Sequence, residues 1–158
     1  MRSLKHYMHL LVLLCLILTA GCKKNVVFQE QQSISSKGWH YQDERVFEVH
    51  IHDTLSLHQM YLDLRNTTDY PYRNLFLFLD IEFPDSRVLR DTIECILADR
   101  RGGWTGSGFG SVRANRFLFR DDVWFPVEGV YRFTIIHGMR YDTLQGISDV
   151  GIRIEKKY

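Results

Sequence analysis

Five stretches of this chain alternate apolar and polar residues with a period of two, and none sustains the 3.6-residue apolar stripe of a helix over several turns. Phe47, Val49 and Ile51 alternate with Glu48, His50 and His52; Leu62 and Leu64 alternate with Tyr61, Asp63 and Arg65. Leu75, Leu77, Leu79, Ile81 and Phe83 face one way, while Phe76, Phe78, Asp80 and Glu82 face the other. Tyr131, Phe133 and Ile135, and then Val150, Ile152 and Ile154, repeat the pattern. Turn-forming residues lie between: Asn66 through Pro71, then Pro84, Asp85 and Ser86, and a long glycine-rich stretch at 102–110. Residues 92–100 are ambiguous. Ile93, Ile96 and Leu97 would share a helical face, but the β-branched content and short length suit a strand equally. The pattern predicts an all-β protein, an antiparallel β-sandwich of jelly-roll or immunoglobulin-like type with about seven to nine strands. Phe76 and Phe78 make the strand at 75–83 apolar on both faces near its start. That strand is expected to be central, with part of its second face covered.

The N-terminus reads as an address. Arg2 and Lys5 precede an apolar run of nine residues, 10–18. A bilayer span needs about 20 apolar residues, so the run is too short to cross and suits a secretory signal. It ends in Leu18-Thr19-Ala20-Gly21-Cys22, which resembles a bacterial lipobox with Thr19 at the usual aliphatic position. This reading makes Cys22 the lipid-bearing N-terminus of the mature protein. Residues 1–21 are then a signal peptide, 22–38 a polar lipidated tether and 39–158 the sandwich domain. Several acyl chains on one cysteine hold a protein to a membrane stably, where one chain does not. No Asp follows Cys22 to resemble an inner-membrane retention signal, and no acidic cluster resembles a surface-export tag. The expected location is the outer membrane, facing the periplasm.

Processing changes the balance of the chain. The full sequence has 20 Lys+Arg against 19 Asp+Glu and three cysteines. Loss of Arg2 and Lys5 leaves 18 against 19, and with Cys15 removed and Cys22 lipidated, Cys95 is the remaining thiol. A near-neutral chain lacks the basic excess of a nucleic-acid binder. No intrachain disulfide can form in the mature protein. Its 137 residues (158 less 21) suffice to fold without one.

Several constellations bear on chemistry. His50 and His52 share a strand face, and a hairpin at Asp53-Thr54 could bring His58 to them as a third zinc or copper ligand; a solvated sheet face explains them as well. Asp80 and Glu82 are same-face carboxylates of the kind glycosidases use, and also of the kind any exposed sheet carries. The loop at 102–110 has five glycines in nine residues but no Gly-Lys-Ser/Thr and no following helix. It suits a structural hairpin or an interaction loop better than a phosphate cradle. Cys95 alternates with Ile93 and Leu97 as a buried small residue would. Trp39, Trp104 and Trp124 would serve sugar stacking if exposed in a row, which gives a carbohydrate-binding module in nutrient capture as the alternative function. No catalytic residue, resident metal or cofactor, or small-molecule substrate is expected. The loop residues Trp104 and Phe109 and the aromatic pair Tyr70 and Tyr72 are the expected partner contacts.

The order of short motifs carries a resemblance. Leu62-Asp63-Leu64-Arg65-Asn66 is followed by Tyr70-Pro71-Tyr72-Arg73-Asn74-Leu75, then Asp91-Thr92, Leu97-Ala98-Asp99 and Gly103-Trp104-Thr105-Gly106. Next come Gly129-Val130-Tyr131-Arg132-Phe133, Met139-Arg140, Leu144, Gly146-Ile147 and Asp149-Val150-Gly151. With the lipobox, this resembles the GldH family of gliding-motility lipoproteins of Bacteroidetes over nearly the whole mature chain. The resemblance implies an outer-membrane-associated lipoprotein needed for gliding and coupled to the type IX secretion machinery. It also implies other gliding or secretion lipoproteins as partners. It carries over no catalytic residue, only the lipid-bearing Cys22, and it extends to species that do not glide.

Overall fold

A computed structural model describes residues 25–157. The alternating stretches all become strands, and ten strands form among the described residues: β1 (Val26–Ser33), β2 (Trp39–His40), β3 (Arg45–Ile51), β4 (Leu57–Thr67), β5 (Asn74–Glu82), β6 (Val88–Ile96), β7 (Val112–Trp124), β8 (Gly129–His137), β9 (Thr143–Leu144) and β10 (Ile147–Lys156). Two antiparallel four-stranded sheets, β1-β10-β4-β7 and β3-β8-β5-β6, carry the fold, and the short β2-β9 pair sits apart from both. No helix forms among the described residues. The ambiguous stretch resolves as a strand through Ile96, because β6 pairs along its whole length with β5, from Asn74↔Ile96 to Glu82↔Val88.

The period-two pattern places the core between the sheets. Met60, Leu62, Leu64, Val150, Ile152 and Ile154 from one sheet meet Phe47, Val49, Leu75, Leu77, Leu79, Tyr131, Phe133 and Ile135 from the other, all at most 1% exposed. Each such side chain contributes about 1.5–3 kcal/mol of transfer free energy on burial. Tyr131 also donates its hydroxyl to the Val127 carbonyl at 2.8 Å, which fixes the corner where the chain enters β8.

Two sequence expectations are corrected here. The polar segment read as a tether to residue 38 belongs largely to the fold, since Val26–Ser33 pairs with β10 from Val26↔Glu155 to Ser33↔Asp149. An edge strand at the rim exposes both faces, so β1 can carry the polar run at 29–33; such polar edges also resist pairing with foreign strands. Gly151 lets β1 lie close, because a Cβ there would stand 2.4 Å from the Glu30 carbonyl oxygen. The second correction concerns β5, which is central as expected, between β8 and β6. Its outer Phe76 and Phe78 nevertheless keep 37% and 39% of their surface exposed.

Chain direction gives the sandwich two distinct ends. The connections 52–56, 83–87 and 125–128 gather at one end, with Asn25 and Lys157 of the two termini. The connections 34–44, 68–73, 97–111 and 138–146 gather at the other. The first is called the proximal end below, because it holds the residues nearest Cys22, and the second the distal end.

Candidate functional site

The histidines do not converge. His50 and His52 are exposed at the rim of β3, and His52 Nδ1 lies 3.1 Å from a Glu128 carboxylate oxygen. His58 begins the other sheet and is fully buried, its ring edge-on to Phe125 at 5.1 Å. Alternation explains the split: His50 takes the outer face of one sheet and His58 the inner face of the other. Burial holds the His58 imidazole below its ordinary pKa. Among the described residues no cluster of His, Cys, Asp and Glu has metal-binding geometry.

Of the two carboxylates on β5, Asp80 is engaged within the sheet. Asp80 accepts two hydrogen bonds from Arg90, at 2.6 and 2.5 Å, and this guanidinium lowers its pKa. Cys95 is fully buried, and burial pushes its thiol up to about 12. A thiol so far from ionisation is not a nucleophile at neutral pH.

The tryptophans occupy three different places. Trp39 is fully buried at the distal end, where its indole donates to the Asp43 carbonyl at 2.8 Å and meets His137 edge-on at 5.6 Å. Trp104 is half-buried against the core in the 97–111 connection. Trp124 is exposed at the proximal end. They form no row, so the carbohydrate-binding alternative loses the feature on which it rested.

The expected partner contacts divide as well. Tyr70 is a core residue and not a contact: it is 3% exposed and donates its hydroxyl to the Asn74 carbonyl at 2.8 Å. Tyr72 stands beside it, edge-on at 5.5 Å, and stacks on its other side against Tyr141 at 5.8 Å. Phe109 is fully exposed at the tip of the glycine-rich loop.

That loop is held at its base. Ala98 bridges Trp104, Ser107 bridges Ala114, and Thr105 donates its hydroxyl to the Leu97 carbonyl at 3.0 Å. A Cβ on Gly108 would lie 2.1 Å from the Val112 carbonyl oxygen, so only glycine lets the loop fold back this tightly. The result is a rigid base that projects an unpacked phenylalanine.

Around these residues the distal half of the β3-β8-β5-β6 sheet shows more apolar surface. Tyr41, Phe76, Phe78 and Tyr141 are between 37% and 59% exposed. Met139 borders them and accepts the Phe76 amide on its sulfur at 3.5 Å. Alternation alone could reveal Phe76 and Phe78, but Tyr41 and Tyr141 sit in connections with no periodic signal. The outer face of the other sheet carries ion pairs beside the exposed Leu118. Asp63, only 3% exposed, accepts from Arg116 at 2.6 and 2.9 Å, and buried Arg153 bonds Glu155 and Gln29.

Similarity to known proteins decides the family. Residues 26–154 match the model of the GldH lipoprotein family. The chain belongs to the GldH lipoprotein family. The gliding motility lipoprotein GldH homolog of Christiangramia forsetii is 36% identical over 148 residues, covering 89% of this chain and 90% of that protein. The gliding motility lipoprotein GldH of Flavobacterium johnsoniae is 33% identical over 154 residues, covering 93% and 95%. Among solved structures, the VP2 subviral particle of infectious bursal disease virus aligns with a TM-score of 0.35 and 12% identity. The alignment covers 83% of this chain and 30% of that one. The GldH relatives support membrane anchoring as a lipoprotein and a role in gliding motility. Cys22, the expected anchor residue, lies outside the described residues.

Proposed function

We propose that this GldH-family protein is a non-enzymatic component of the gliding machinery and of the linked type IX secretion system, lipidated at Cys22 and held in the outer membrane facing the periplasm. It acts by binding other envelope lipoproteins of that machinery. The observation that carries this reading is the separation of the two ends. The fold starts at Val26, four residues after Cys22, and the exposed aromatics Phe109 and Tyr141, with the half-buried Tyr72, gather at the opposite end. A tether at one end raises the effective concentration of the other near its partner without any new contact. The engagement of Asp80, the burial of Cys95 and the dispersal of the histidines favour a binding role over catalysis.

The test is a strain whose only copy carries Cys22→Ala. The altered protein is expected to fold, to leave the membrane fraction and to support neither spreading nor cargo secretion. Full activity from the soluble fraction would refute the tethering mechanism. Pull-down of the lipidated protein from outer membranes, followed by mass spectrometry, identifies the partner. Replacing Tyr72, Phe109 and Tyr141 together by Ser is expected to remove that partner.

A further inference from the structure

The proximal end carries apolar surface that the fold does not use. Leu55 is 93% exposed, Trp124 59%, Leu57 44%, Val27 41% and Val26 38%. These residues form one surface. Across the β1-β10-β4-β7 sheet, Val26 pairs with Glu155, His58 with Lys156 and Leu57 with Trp124. The strand ends therefore line up in a row three strand spacings wide, about 14 Å. The Trp124 indole donates to the Thr54 carbonyl, which fixes the ring beside Leu55. Lys156 and Lys157 donate their backbone amides to the carbonyls of Asn25 and Leu57, both at 2.8 Å, so the two termini close onto the same surface.

The charges there are paired. Lys156 bonds Asp53 at 2.6 Å, and Lys157 bonds Asp121 at 2.9 Å and Asp122 at 2.6 Å. Glu155 is bonded to Arg153. Every acid named on this surface is thus ion-paired, with Lys157 shared between Asp121 and Asp122, and leucine, valine and tryptophan project beside them.

Chain length determines what this surface meets. Asn25 follows Cys22 by three residues, and three extended peptide units reach at most about 11 Å. A sandwich whose strand β4 runs 11 residues from the proximal to the distal end is about 36 Å tall. An acylated Cys22 therefore leaves the proximal end no room to stand clear of the headgroups. Tryptophan with leucine is the composition that favours that boundary, where an amphipathic ring and apolar tips leave water together.

We infer that Leu55, Leu57, Trp124 and the start of β1 form a second membrane contact, seated in the interfacial region of the leaflet that holds the Cys22 lipid. The inference rests on anchoring at Cys22. The lipid holds the protein to the membrane, and this contact fixes its tilt and rotation, so that the distal aromatics face away from the bilayer.

The test uses the full lipidated protein on phosphatidylcholine–phosphatidylethanolamine vesicles containing a lipid brominated near the top of its acyl chains, a short-range quencher of indole emission. The protein is expected to float with the vesicles and to lose emission relative to unbrominated vesicles. In Trp124→Phe, which retains Trp39 and Trp104, that loss is expected to disappear. Leu55→Asp, at a site with no packing to disturb, is expected to reduce the loss while flotation persists. Flotation without quenching, or equal quenching in Trp124→Phe, would overturn the second contact and leave the anchor intact. Failure of the protein to float would overturn both.

Discussion

The two ends of this sandwich solve different problems with the same strands. At the proximal end the connections 52–56, 83–87 and 125–128 are short, and both described termini are tied into the sheet. Lysine–aspartate pairs flank its apolar tips. At the distal end the connections are long, the β2-β9 pair closes over the core, and the exposed large apolar side chains are mostly aromatic. Each end also buries a histidine against an aromatic ring: His58 against Phe125 proximally, His137 against Trp39 distally. The difference teaches that stability and presentation are divided along the strand axis. The proximal end is compact enough to sit on a surface, and the distal end has the loop length to vary a binding face without disturbing the core.

The comparison can be broken most severely at the distal closure. Trp39→Ala empties a fully buried indole site and strands the Asp43 carbonyl, and is expected to cost about 3–5 kcal/mol. Urea denaturation measures it, and a loss near zero would mean that the β2-β9 closure is not part of the cooperative fold. Arg116→Ala leaves the buried Asp63 carboxylate unpaired and is expected to cost about 3 kcal/mol by the same measurement. A neutral result would show that water or Arg153 replaces the lost partner.

The buried histidines sharpen the comparison through pH. Burial lowers the pKa of both His58 and His137 below their ordinary value. An unfolded histidine titrates near 6.5, so below that pH the unfolded chain binds more protons than the folded one. The stability held above about pH 6.5 is therefore lost as pH falls towards the lowered folded values. The urea midpoint is expected to drop between about pH 7.5 and about pH 5.5, and His58→Phe and His137→Phe are each expected to flatten part of that drop. An unchanged slope in both variants would contradict the assignment. The smallest effects belong to the tips: Leu55→Asp and Phe109→Ser are each expected to change stability by less than about 0.5 kcal/mol. A larger change would mean that these side chains pack inside the fold and do not project from it.

Much of the fold was legible in the sequence because period two is a direct print of a half-buried strand. Phe47, Leu62, Leu75, Tyr131 and Ile152 all lie where alternation puts them. The strand β1 was hidden because an edge strand buries neither face fully, so Gln29 to Gln32 read as a solvated segment. Tyr70 was misplaced because its aromatic run, Tyr70-Pro71-Tyr72, lies in a connection, and nothing local distinguishes the ring that turns inward from the one that stays out. The histidines could converge only through a hairpin between β3 and β4, whereas the chain crosses there from one sheet to the other. The proximal apolar tips were invisible for a related reason. Leu55 and Trp124 are far apart in sequence and meet only where two strands end together.

The central claim is that one end of the sandwich faces the membrane and the other faces away, and it can be measured as a distance. Cys95 is buried, so a new surface cysteine can be labelled selectively in the lipidated protein. A donor dye at Leu55→Cys and, separately, at Phe109→Cys reports energy transfer to acceptor lipids in the vesicle surface. Strong transfer from position 55 and weak transfer from position 109 is the expected result; equal transfer, or the reverse order, would contradict the account.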